Sequence, residues 1–376
     1  MTAKSSWDNP EDLFADDPQR AAGLTAIADA LKGAANRPWA VTIDVLTDLV
    51  RTQRDAQTAS APLAPATSLL GTLFEDIAQR HEQRKTTGCD AMGHSTGFPR
   101  LDSILGGLDR GRMSVMLAAP GAGKTTASNQ IAYDVAASGA SVLYVSFENT
   151  PDDLILKQIA RLAGKSANEI RRGRIDPADL KGAYQTFAAA GGRHLYYVEG
   201  TSSTTVETIR GALVQLQRQY SDTYPLVVVD FLQRLATTTD VIGRGAGLDD
   251  MRGRVGLISQ QLRGLANESG AHIWAISSTN RAAYNTDKAT PGLASGRESG
   301  DIEFAADHVI TLAPGKGESI SMTTDPYAFN VVKNRHGETG LVNISRERHT
   351  MRMVETDARV SSLRNDVQAA WKSVAD

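Results

Sequence analysis

The sequence contains almost no cysteine: Cys89 is the only one in 376 residues, so no disulfide forms within the chain. A single cysteine excludes a zinc site built from cysteines alone, and it fits a reducing cytoplasm. No uninterrupted apolar stretch approaches the roughly 20 residues that span a bilayer. Residues 1–14 also lack the apolar segment of a signal peptide. We therefore expect a cytoplasmic protein that makes no membrane contact.

The sequence also has little net charge, a formal −3 at pH 7. Domains coated by nucleic acid are usually basic, so this value argues against such a surface. It remains compatible with a motor that grips DNA only in a narrow, locally basic channel. The length predicts one large domain together with a smaller one.

The first 84 residues predict three segments. Apolar residues at helical spacing indicate a small helical region over 1–57, and a stretch rich in Ala, Pro, Ser and Thr indicates a linker over 58–68. Residues 69–84 predict an amphipathic helix. Its apolar stripe comprises Leu70, Leu73, Phe74, Ile77 and Ala78. From the residues alone, the stripe packs either on the chain's own main domain or on a neighbouring subunit.

Residues 85–355 predict one α/β domain, because short apolar runs alternate with helical segments as in a mainly parallel sheet covered on both faces. The predicted strands are Met113–Ala119, Ser141–Phe147, His194–Val198, Leu226–Asp230, His272–Ser277, His308–Leu312 and Ala328–Lys333. Val342–Ser345 and Met351–Val354 predict a terminal hairpin, and residues 356–376 predict a tail with one weak helix.

The strongest chemical signal is a glycine-rich loop between an apolar strand and a predicted helix, which is the context of a phosphate-binding loop. Small residues let successive backbone N–H groups surround phosphate oxygens, and the helix N-terminus adds partial positive charge. Lys124 is predicted to neutralise the β- and γ-phosphates, and Thr125 to coordinate Mg²⁺. Ala118 stands where this pattern usually has its first glycine. The predicted nucleotide contacts are Ala119, Pro120, Gly121, Ala122, Gly123, Lys124, Thr125 and Thr126.

Two carboxylates end apolar strands at the sheet edge where this loop is expected. Asp230 is predicted to hold the Mg²⁺ shell, although an aspartate there is more often a turn or cap residue when no phosphate loop accompanies it. Glu148 precedes a helix start at Pro151 and can orient and deprotonate the water that attacks the γ-phosphate. Its position alone fits equally well a carboxylate that only favours the nearby helix N-terminus.

Two cations, Lys333 and Arg335, lie at the end of a predicted strand, and their spacing of two places them on one face. Paired cations can stabilise charge on a transferring γ-phosphoryl group, as an arginine finger does. The pair alone favours a solvated hairpin end over that role.

Two glycine-rich segments are candidates for contact with DNA phosphates. One contains Arg297, Glu298 and Gly300, and the other is a long connection that contains Arg252 and Arg254. A flexible surface loop is the alternative for each segment. Neither is rich in aromatic residues, so strong stacking on bases is not predicted.

Seven motifs follow one another along the chain. They are Ser95-Thr96-Gly97-Phe98 with Leu101-Asp102, the phosphate loop, Ser146-Phe147-Glu148, Val229-Asp230-Phe231-Leu232-Gln233, Ser277 to Asn280-Arg281, Arg297-Glu298-Ser299-Gly300 to Ile302-Glu303, and Lys333-Asn334-Arg335-His336-Gly337-Glu338-Thr339-Gly340. This series closely resembles the motor domain of DnaB-type replicative helicases over about residues 85–355. The resemblance implies a RecA-like phosphate-loop fold in a homo-hexamer that uses ATP and Mg²⁺. It also implies 5′→3′ movement on single-stranded DNA, with a helicase loader or a primase as partner.

The resemblance also implies residue roles. Glu148 matches the catalytic glutamate, Asp230 the Mg²⁺-associated aspartate, and Arg335 the arginine finger given to a neighbour's ATP, with Lys333 as its companion. The Arg297–Gly300 segment matches the loop that tracks the DNA backbone. The predicted helix at 69–84 matches, in position, the linker helix that docks on an adjacent subunit.

Two departures from the family pattern stand out. This chain has Ser278 where the family has a glutamine that senses the γ-phosphate, which bears on how hydrolysis is coupled to movement. Its N-terminal region is shorter than the family's helical domain, which suggests a phage or another mobile element as the source. Two other functions stay open: a RadA-like ATPase that remodels DNA without ring helicase activity, and an ATP-switched assembly protein.

Overall fold

The computed structural model describes Lys32 and residues 65–87, 93–221, 223–238, 251–278, 299–315 and 323–356. The chain divides into two compact units, residues 1–79 and 80–376. Apart from Lys32, the predicted helical region over 1–57 lies outside the described residues, as do the start of the predicted linker and residues 357–376.

The predicted amphipathic helix is present as α1, Leu70–Thr87. A 3₁₀ turn, Ala66–Leu69, precedes it, and Ser68 Oγ donates to the Pro65 carbonyl at 2.8 Å. The last residues of the predicted linker thus form a helical turn, which Ser68 closes. The large apolar side chains of the stripe are 47–67% exposed: Leu70, Leu73, Phe74 and Ile77.

Nine strands form one sheet in the order β3-β2-β4-β5-β1-β6-β7-β8-β9. The strands are β1 Met113–Ala118, β2 Val142–Ser146, β3 Leu195–Glu199, β4 Leu226–Asp230, β5 His272–Ser278, β6 His308–Pro314, β7 Thr324–Asn334, β8 Gly340–Glu347 and β9 Arg352–Glu355. Neighbours among β1 to β6 run parallel, whereas β6 to β9 are antiparallel to one another. The predicted mainly parallel sheet and the terminal hairpin are confirmed.

Helices cover both faces of this sheet. They are α2 Pro99–Leu105, α3 Lys124–Ala137, α4 Pro151–Ala163, α5 Ala167–Arg171, α6 Pro177–Ala189, α7 Val206–Gln219, α8 Leu232–Leu235, α9 Met251–Ser269 and α10 Ser299–Ala305. Alternate strand residues enter opposite hydrophobic cores: Val142 and Tyr144 belong to one, and Leu143 and Val145 to the other. The result is the three-layer arrangement that a parallel sheet requires.

The Ser95–Asp102 motif builds the entry into this domain. Buried Asp102 accepts hydrogen bonds from Thr96 N at 2.8 Å and Thr96 Oγ1 at 2.6 Å. Burial raises the pKa of Asp102, and the hydrogen bonds from Ser95 and Thr96 oppose that rise. At the end of β9, a Glu355 carboxylate oxygen accepts from Arg100 N at 2.9 Å and so satisfies the N-terminus of α2. These contacts are structural, because they tie the two ends of the domain together.

A buried hydrogen-bond chain lies at the amino ends of β5, β1 and β6. His272 Nδ1 faces the Asp109 carbonyl at 2.7 Å, and Ser114 Oγ lies 3.0 Å from His272 Nε2 and 2.9 Å from His308 Nδ1. Since a carbonyl only accepts, His272 carries its proton on Nδ1, and Ser114 donates to Nε2. Burial lowers the pKa of His272 to about 3 and that of His308 to about 4. Both rings are therefore neutral at pH 7.

We expect the free energy of unfolding to fall as the pH drops below 6.5. Both folded-state pKa values lie below the unfolded value, so the unfolded chain binds more protons from pH 6.5 down to about 4. Each histidine then contributes a slope of about 1.4 kcal/mol per pH unit in this window. Urea unfolding at pH 7.5, 6.5 and 5.5 measures that slope.

The control for this slope is His272→Asn, whose amide can still donate to the Asp109 carbonyl. Carboxylates whose pKa is raised on folding, such as Asp102, increase the free energy of unfolding as the pH falls. The test is therefore the difference in slope between the wild type and the variant. The slope below pH 6.5 should be shallower in the variant by about 1.4 kcal/mol per unit. Equal slopes in both proteins would show that this histidine does not supply the acid sensitivity.

Candidate nucleotide site

The predicted phosphate loop connects β1 to α3, and its glycines adopt a backbone that other residues disfavour. Gly121 and Gly123 have φ values of +81° and +97°. A Cβ on Gly123 would also lie 2.8 Å from Met353 Cε. Lys124 Nζ donates to the carbonyls of Ala118 at 3.0 Å and Ala119 at 3.2 Å. The lysine therefore lies across the start of the loop, within reach of groups that the loop would hold.

Asp230 meets the loop from the end of β4. The intervening strand β5 separates β4 from β1, so the two are not adjacent as a simple sheet order would suggest. The Thr125 hydroxyl nevertheless hydrogen-bonds to Asp230, and Tyr144 Oη donates to Asp230 Oδ2 at 2.9 Å. Burial raises the pKa of Asp230, and these two hydrogen bonds oppose the rise. Asp230 is thus buried and oriented by hydroxyl groups on two sides.

Lys124 lies in the field of both predicted carboxylates. Burial lowers the pKa of Lys124, and the negative charges of Asp230 and then Glu148 oppose that decrease. Glu148 follows β2, and its side chain is exposed at the same edge of the sheet. Four predicted residues from three separate segments, Lys124, Thr125, Glu148 and Asp230, therefore converge at the carboxyl edge.

The Thr125 and Asp230 oxygens fit a magnesium ion by their chemistry. Magnesium prefers oxygen donors, keeps several waters, and needs only one or two protein ligands when phosphates supply the rest. The described residues contain no group of three or more His, Cys, Asp or Glu side chains that could hold a metal ion by themselves. A hydroxyl and one carboxylate agree with a metal that arrives together with a nucleotide.

The sequence did not single out Lys157, which lies near the carboxyl edge of the sheet. Lys157 Nζ donates to Asn149 Oδ1 at 2.6 Å, next to Glu148 in the chain. Burial lowers the pKa of Lys157, and Asp230 is the strongest opposing charge. A lysine directly after the apolar run Leu154-Ile155-Leu156 was the available signal, since lysine is rarely buried without a partner.

Gln233 joins the end of β4 to the end of β5. Its Nε2 donates to Ser277 Oγ at 2.9 Å and to the Ser278 carbonyl at 3.1 Å, while Ser278 N donates to Gln233 Oε1 at 3.2 Å. Ser278 is the position where the resembling family has a glutamine. In this chain Gln233, in the short helix α8 that follows β4, hydrogen-bonds to both the N–H and the carbonyl of Ser278.

Lys333 and Arg335 lie at the opposite edge, because β7 runs antiparallel to β6 and ends where the parallel strands begin. Lys333 Nζ donates to the carbonyls of Glu303 and, at 2.9 Å, of Ala306. Arg335 Nη2 donates to the Phe304 carbonyl at 3.1 Å. Both cations therefore satisfy the C-terminal carbonyls of α10, a favourable place for positive charge. Both side chains thus reach the end of the same helix, although Arg335 lies just beyond the end of β7.

The buried Asp307 carboxylate forms ion pairs with several cationic side chains at this edge. Its Oδ1 lies 3.3 Å from Arg335 Nη1 and 3.7 Å from Arg112 Nη1, and its Oδ2 pairs with Arg263. His336 Nε2 lies 3.7 Å from Oδ1. Asp307 is fully buried, whereas Arg335 is 42% exposed. The buried Asp307 carboxylate thus holds Arg335 in place, while part of the arginine side chain remains exposed to solvent.

The predicted DNA-contact residues fall partly within the described chain. Arg252 Nε lies 3.3 Å from Asp301 Oδ2, and its guanidinium approaches Gly300. The prediction of a loop for Arg252 and Arg254 is wrong, because both lie in the first turn of α9. Gly256 allows that helix to pack closely, since a Cβ there would lie 3.0 Å from Asp301 Cβ. Arg297 and Glu298 lie outside the described residues.

The sheet order, the glycine-rich loop and the strand-end carboxylates together define a RecA-like phosphate-loop domain. Residues 93–355 match the family model of the DnaB-like helicase C terminal domain. The match covers well over half of the chain, and the chain belongs to this family.

Several similar proteins are named replicative DNA helicases. The chain is 27% identical over 273 residues to the replicative DNA helicase DnaB of Synechocystis, covering 72% of this chain and 29% of that protein. It is 27% identical over 261 residues to DnaB of Geobacillus stearothermophilus, covering 68% and 55%. A probable plasmid replicative DNA helicase of Chlamydia psittaci is 27% identical, covering 70% and 56%. The match thus spans from under a third to little more than half of these relatives.

Solved structures support the fold. A solved structure of an isolated ATPase domain has a TM-score of 0.65 at 22% identity, covering 76% of this chain and 99% of that one. A DnaB-like replicative helicase, solved in a study of its interactions with primase, has a TM-score of 0.65 at 20% identity, covering 90% and 77%. Among the residues described for this chain, no helix has both the length and the apolar character needed to cross a bilayer.

Proposed function

We propose that this chain is the motor of an ATP-dependent replicative DNA helicase that assembles as a homo-hexamer and moves 5′→3′ on single-stranded DNA. One observation carries the proposal. The phosphate loop and both carboxylates lie at the carboxyl edge of the sheet, while the paired cations Lys333 and Arg335 lie at the amino edge. If Lys333 or Arg335 takes part in hydrolysis, it therefore acts on the site of another subunit, as in a ring.

In this proposal, one subunit binds the triphosphate and the next completes the site. The backbone N–H groups that residues 121–126 provide surround the phosphates, and Lys124 neutralises the β- and γ-phosphates. A Mg²⁺ ion, held by Thr125 and through the Asp230 shell, would neutralise charge between those phosphates. Glu148 orients and deprotonates the attacking water. Arg335 of the neighbour, with Lys333 beside it, stabilises the charge that develops on the transferring group.

The short helix α10 supports a link between DNA and hydrolysis. The segment with Arg297, Glu298 and Gly300, which we propose tracks the DNA backbone, overlaps the start of α10, whose second residue is Gly300. The C-terminal carbonyls of α10 in turn hold Lys333 and Arg335. Arg252 reaches the first turn of the same helix, where a second cation can contact phosphate. DNA contact and the paired cations therefore share one seven-residue element.

The exposed stripe of α1 supports assembly between subunits. Phe74 is 67% exposed and Leu73 53%, which is unusual for large apolar side chains on one helix face. We propose that this face docks on the motor domain of an adjacent subunit, with residues 1–57 forming a small helical region before it. A helicase loader or a primase is the expected further partner.

Ser278 keeps a second function in view, a RadA-like ATPase that remodels DNA without ring translocation. Gln233 hydrogen-bonds to both the N–H and the carbonyl of Ser278. Sensing of the γ-phosphate through this position would therefore differ from sensing by the glutamine of the resembling family. The convergence of Lys124, Glu148 and Asp230 argues against a third hypothesis, an ATP-switched assembly protein without turnover.

Unwinding of a forked DNA duplex with Mg-ATP tests the proposal. Substrates with a 5′ tail, a 3′ tail or both tails should be unwound only when the 5′ tail is present. Lys124→Ala should remove both hydrolysis and strand release, because the loop then lacks the charge that faces the phosphates. Hydrolysis that depends on Lys124 without any strand release, with both tails present, would favour the remodelling ATPase.

A further inference from the structure

The hairpin of β7 and β8 extends from the phosphate loop to the amino edge of the sheet. Strand β7 has 11 residues, which corresponds to about 35 Å of extended chain. Asp325 near its start pairs in register with Arg346 of β8, and Arg335 directly follows its last residue. This hairpin therefore has one end at a subunit's own nucleotide site and the other at the cation proposed to serve a neighbour.

Arg346 forms the contact at the loop end. Its Nη1 donates to the Gly121 carbonyl at 3.0 Å, and its Nη2 donates to Asp325 Oδ2 at 3.0 Å. The guanidinium carbon lies 4.1 Å from the centre of the Tyr327 ring, in a cation–π contact. The side chain is 14% exposed. The hairpin therefore fixes the direction in which Arg346 approaches the loop.

The position of Gly121 within the loop makes this contact consequential. In a planar trans peptide the carbonyl and the following N–H point in opposite directions, so the Gly121 carbonyl direction sets that of the Ala122 N–H. The Ala122 N–H now donates to the Ala119 carbonyl at 3.2 Å, inside the loop. Arg346 consequently acts on the orientation of a backbone donor in the segment that would surround phosphate.

The neighbouring strand β9 is also joined to this site. Met353 N donates to Gln130 Oε1 at 3.0 Å, and Gln130 Nε2 donates to the Met353 carbonyl at 2.9 Å, which fixes β9 to α3. The Met353 methyl group also lies against Gly123, 2.8 Å from the position that a Cβ would take. The antiparallel strands thus contact both the loop and the helix that follows it.

We propose that Arg346 is a positioning residue of the phosphate loop, and that the β7–β8 hairpin links the nucleotide site of one subunit to the Arg335 that it presents to the next. Triphosphate binding reorients the Gly121–Ala122 peptide, Arg346 follows the Gly121 carbonyl, and the hairpin conveys the change to its far end. The second half of this inference rests on the proposed ring motor, whereas the first half concerns nucleotide binding alone.

Nucleotide binding tests the first half. Titration of the full chain with a fluorescent ATP analogue and Mg²⁺ should give a Kd about tenfold weaker for Arg346→Met, because a charge-assisted hydrogen bond to the loop is lost. Arg346→Lys, which keeps a donor for Gly121, should recover to within about threefold of the wild type. Arg348→Met removes a more exposed cation from the same Asp325 carboxylate and should stay within about twofold.

The thermal unfolding midpoint of each variant distinguishes positioning from folding. An unchanged Kd for well-folded Arg346→Met, or an equal loss in Arg348→Met, would overturn the positioning role. If Arg346→Lys did not restore nucleotide affinity, the positioning role would be overturned as well.

Amide hydrogen exchange tests the second half. Adding a non-hydrolysable ATP analogue to the wild type should change the exchange rates of residues 333–340, at the far end of the hairpin. At nucleotide concentrations that saturate Arg346→Met, this change should be lost, although exchange within the phosphate loop still responds. The same response of 333–340 in both proteins, or none in the wild type, would overturn the link. Neither the binding nor the exchange measurement requires DNA unwinding. A chain that fails to unwind DNA would therefore contradict the proposed function without deciding these two tests.

Discussion

Arg335→Ala is expected to lower DNA-stimulated ATP hydrolysis by at least about 10³-fold while weakening nucleotide binding far less, since an arginine finger acts mainly on the transition state. Arg335 lies at the edge away from Lys124, so its loss removes nothing from the subunit's own phosphate loop. Steady-state hydrolysis and equilibrium binding of a fluorescent ATP analogue separate the two effects.

The matched control for Arg335 is Arg112→Ala. Arg112 contacts the same Asp307 carboxylate from the same edge, and its loss should reduce hydrolysis far less. Mixtures of Arg335→Ala with wild-type protein provide a second criterion. In a ring, each variant subunit inactivates a neighbour's site, so activity should fall more steeply than the wild-type fraction. Activity strictly proportional to that fraction would contradict hydrolysis shared between subunits.

Glu148→Gln is expected to lower hydrolysis by about 10²–10⁴-fold, because an amide keeps the size of the side chain but cannot accept the proton of the attacking water. Glu148 is exposed at the carboxyl edge, so we expect little change in the free energy of unfolding. Single-turnover hydrolysis of pre-bound ATP measures the chemical step without a contribution from product release.

Asp152→Asn serves as the control for Glu148. Asp152 lies in the first turn of α4, just beyond the same strand, and its side chain is exposed. If Glu148 only favours the helix N-terminus, both variants should lose a few tenths of a kcal/mol of stability and little activity. Equal and small losses of activity would therefore exclude Glu148 as the catalytic base.

The sequence predicted the features that consecutive residues encode. The phosphate loop is one contiguous segment between a strand and a helix, and β4 was predicted with both of its ends correct, because its apolar run is covered on both faces. Strand β7 begins at Thr324 rather than Ala328. Pro326 lies inside that strand, and a proline in an apolar run normally indicates its end.

The features that were missed depend on contacts between distant segments. Arg346 and Gly121 are 225 residues apart, and Gln233 and Ser278 are 45 apart, so no local pattern joins them. The helix that contains Arg252 was mistaken for a loop because of its glycines. One of them, Gly256, is required by the close approach of α10, which only the folded structure reveals.

The crowding of cations around Asp307 has a consequence for assembly. One buried carboxylate balances a single positive charge, yet the guanidinium groups of Arg112, Arg263 and Arg335 all contact it. The positive charge at the amino edge thus exceeds what Asp307 alone balances, and Arg335 is 42% exposed to solvent there. In the proposed ring, the triphosphate of the adjacent subunit would approach these cations and strengthen the contact between subunits. Loss of the γ-phosphate would remove part of that attraction, so the affinity between neighbouring subunits would change with each turnover.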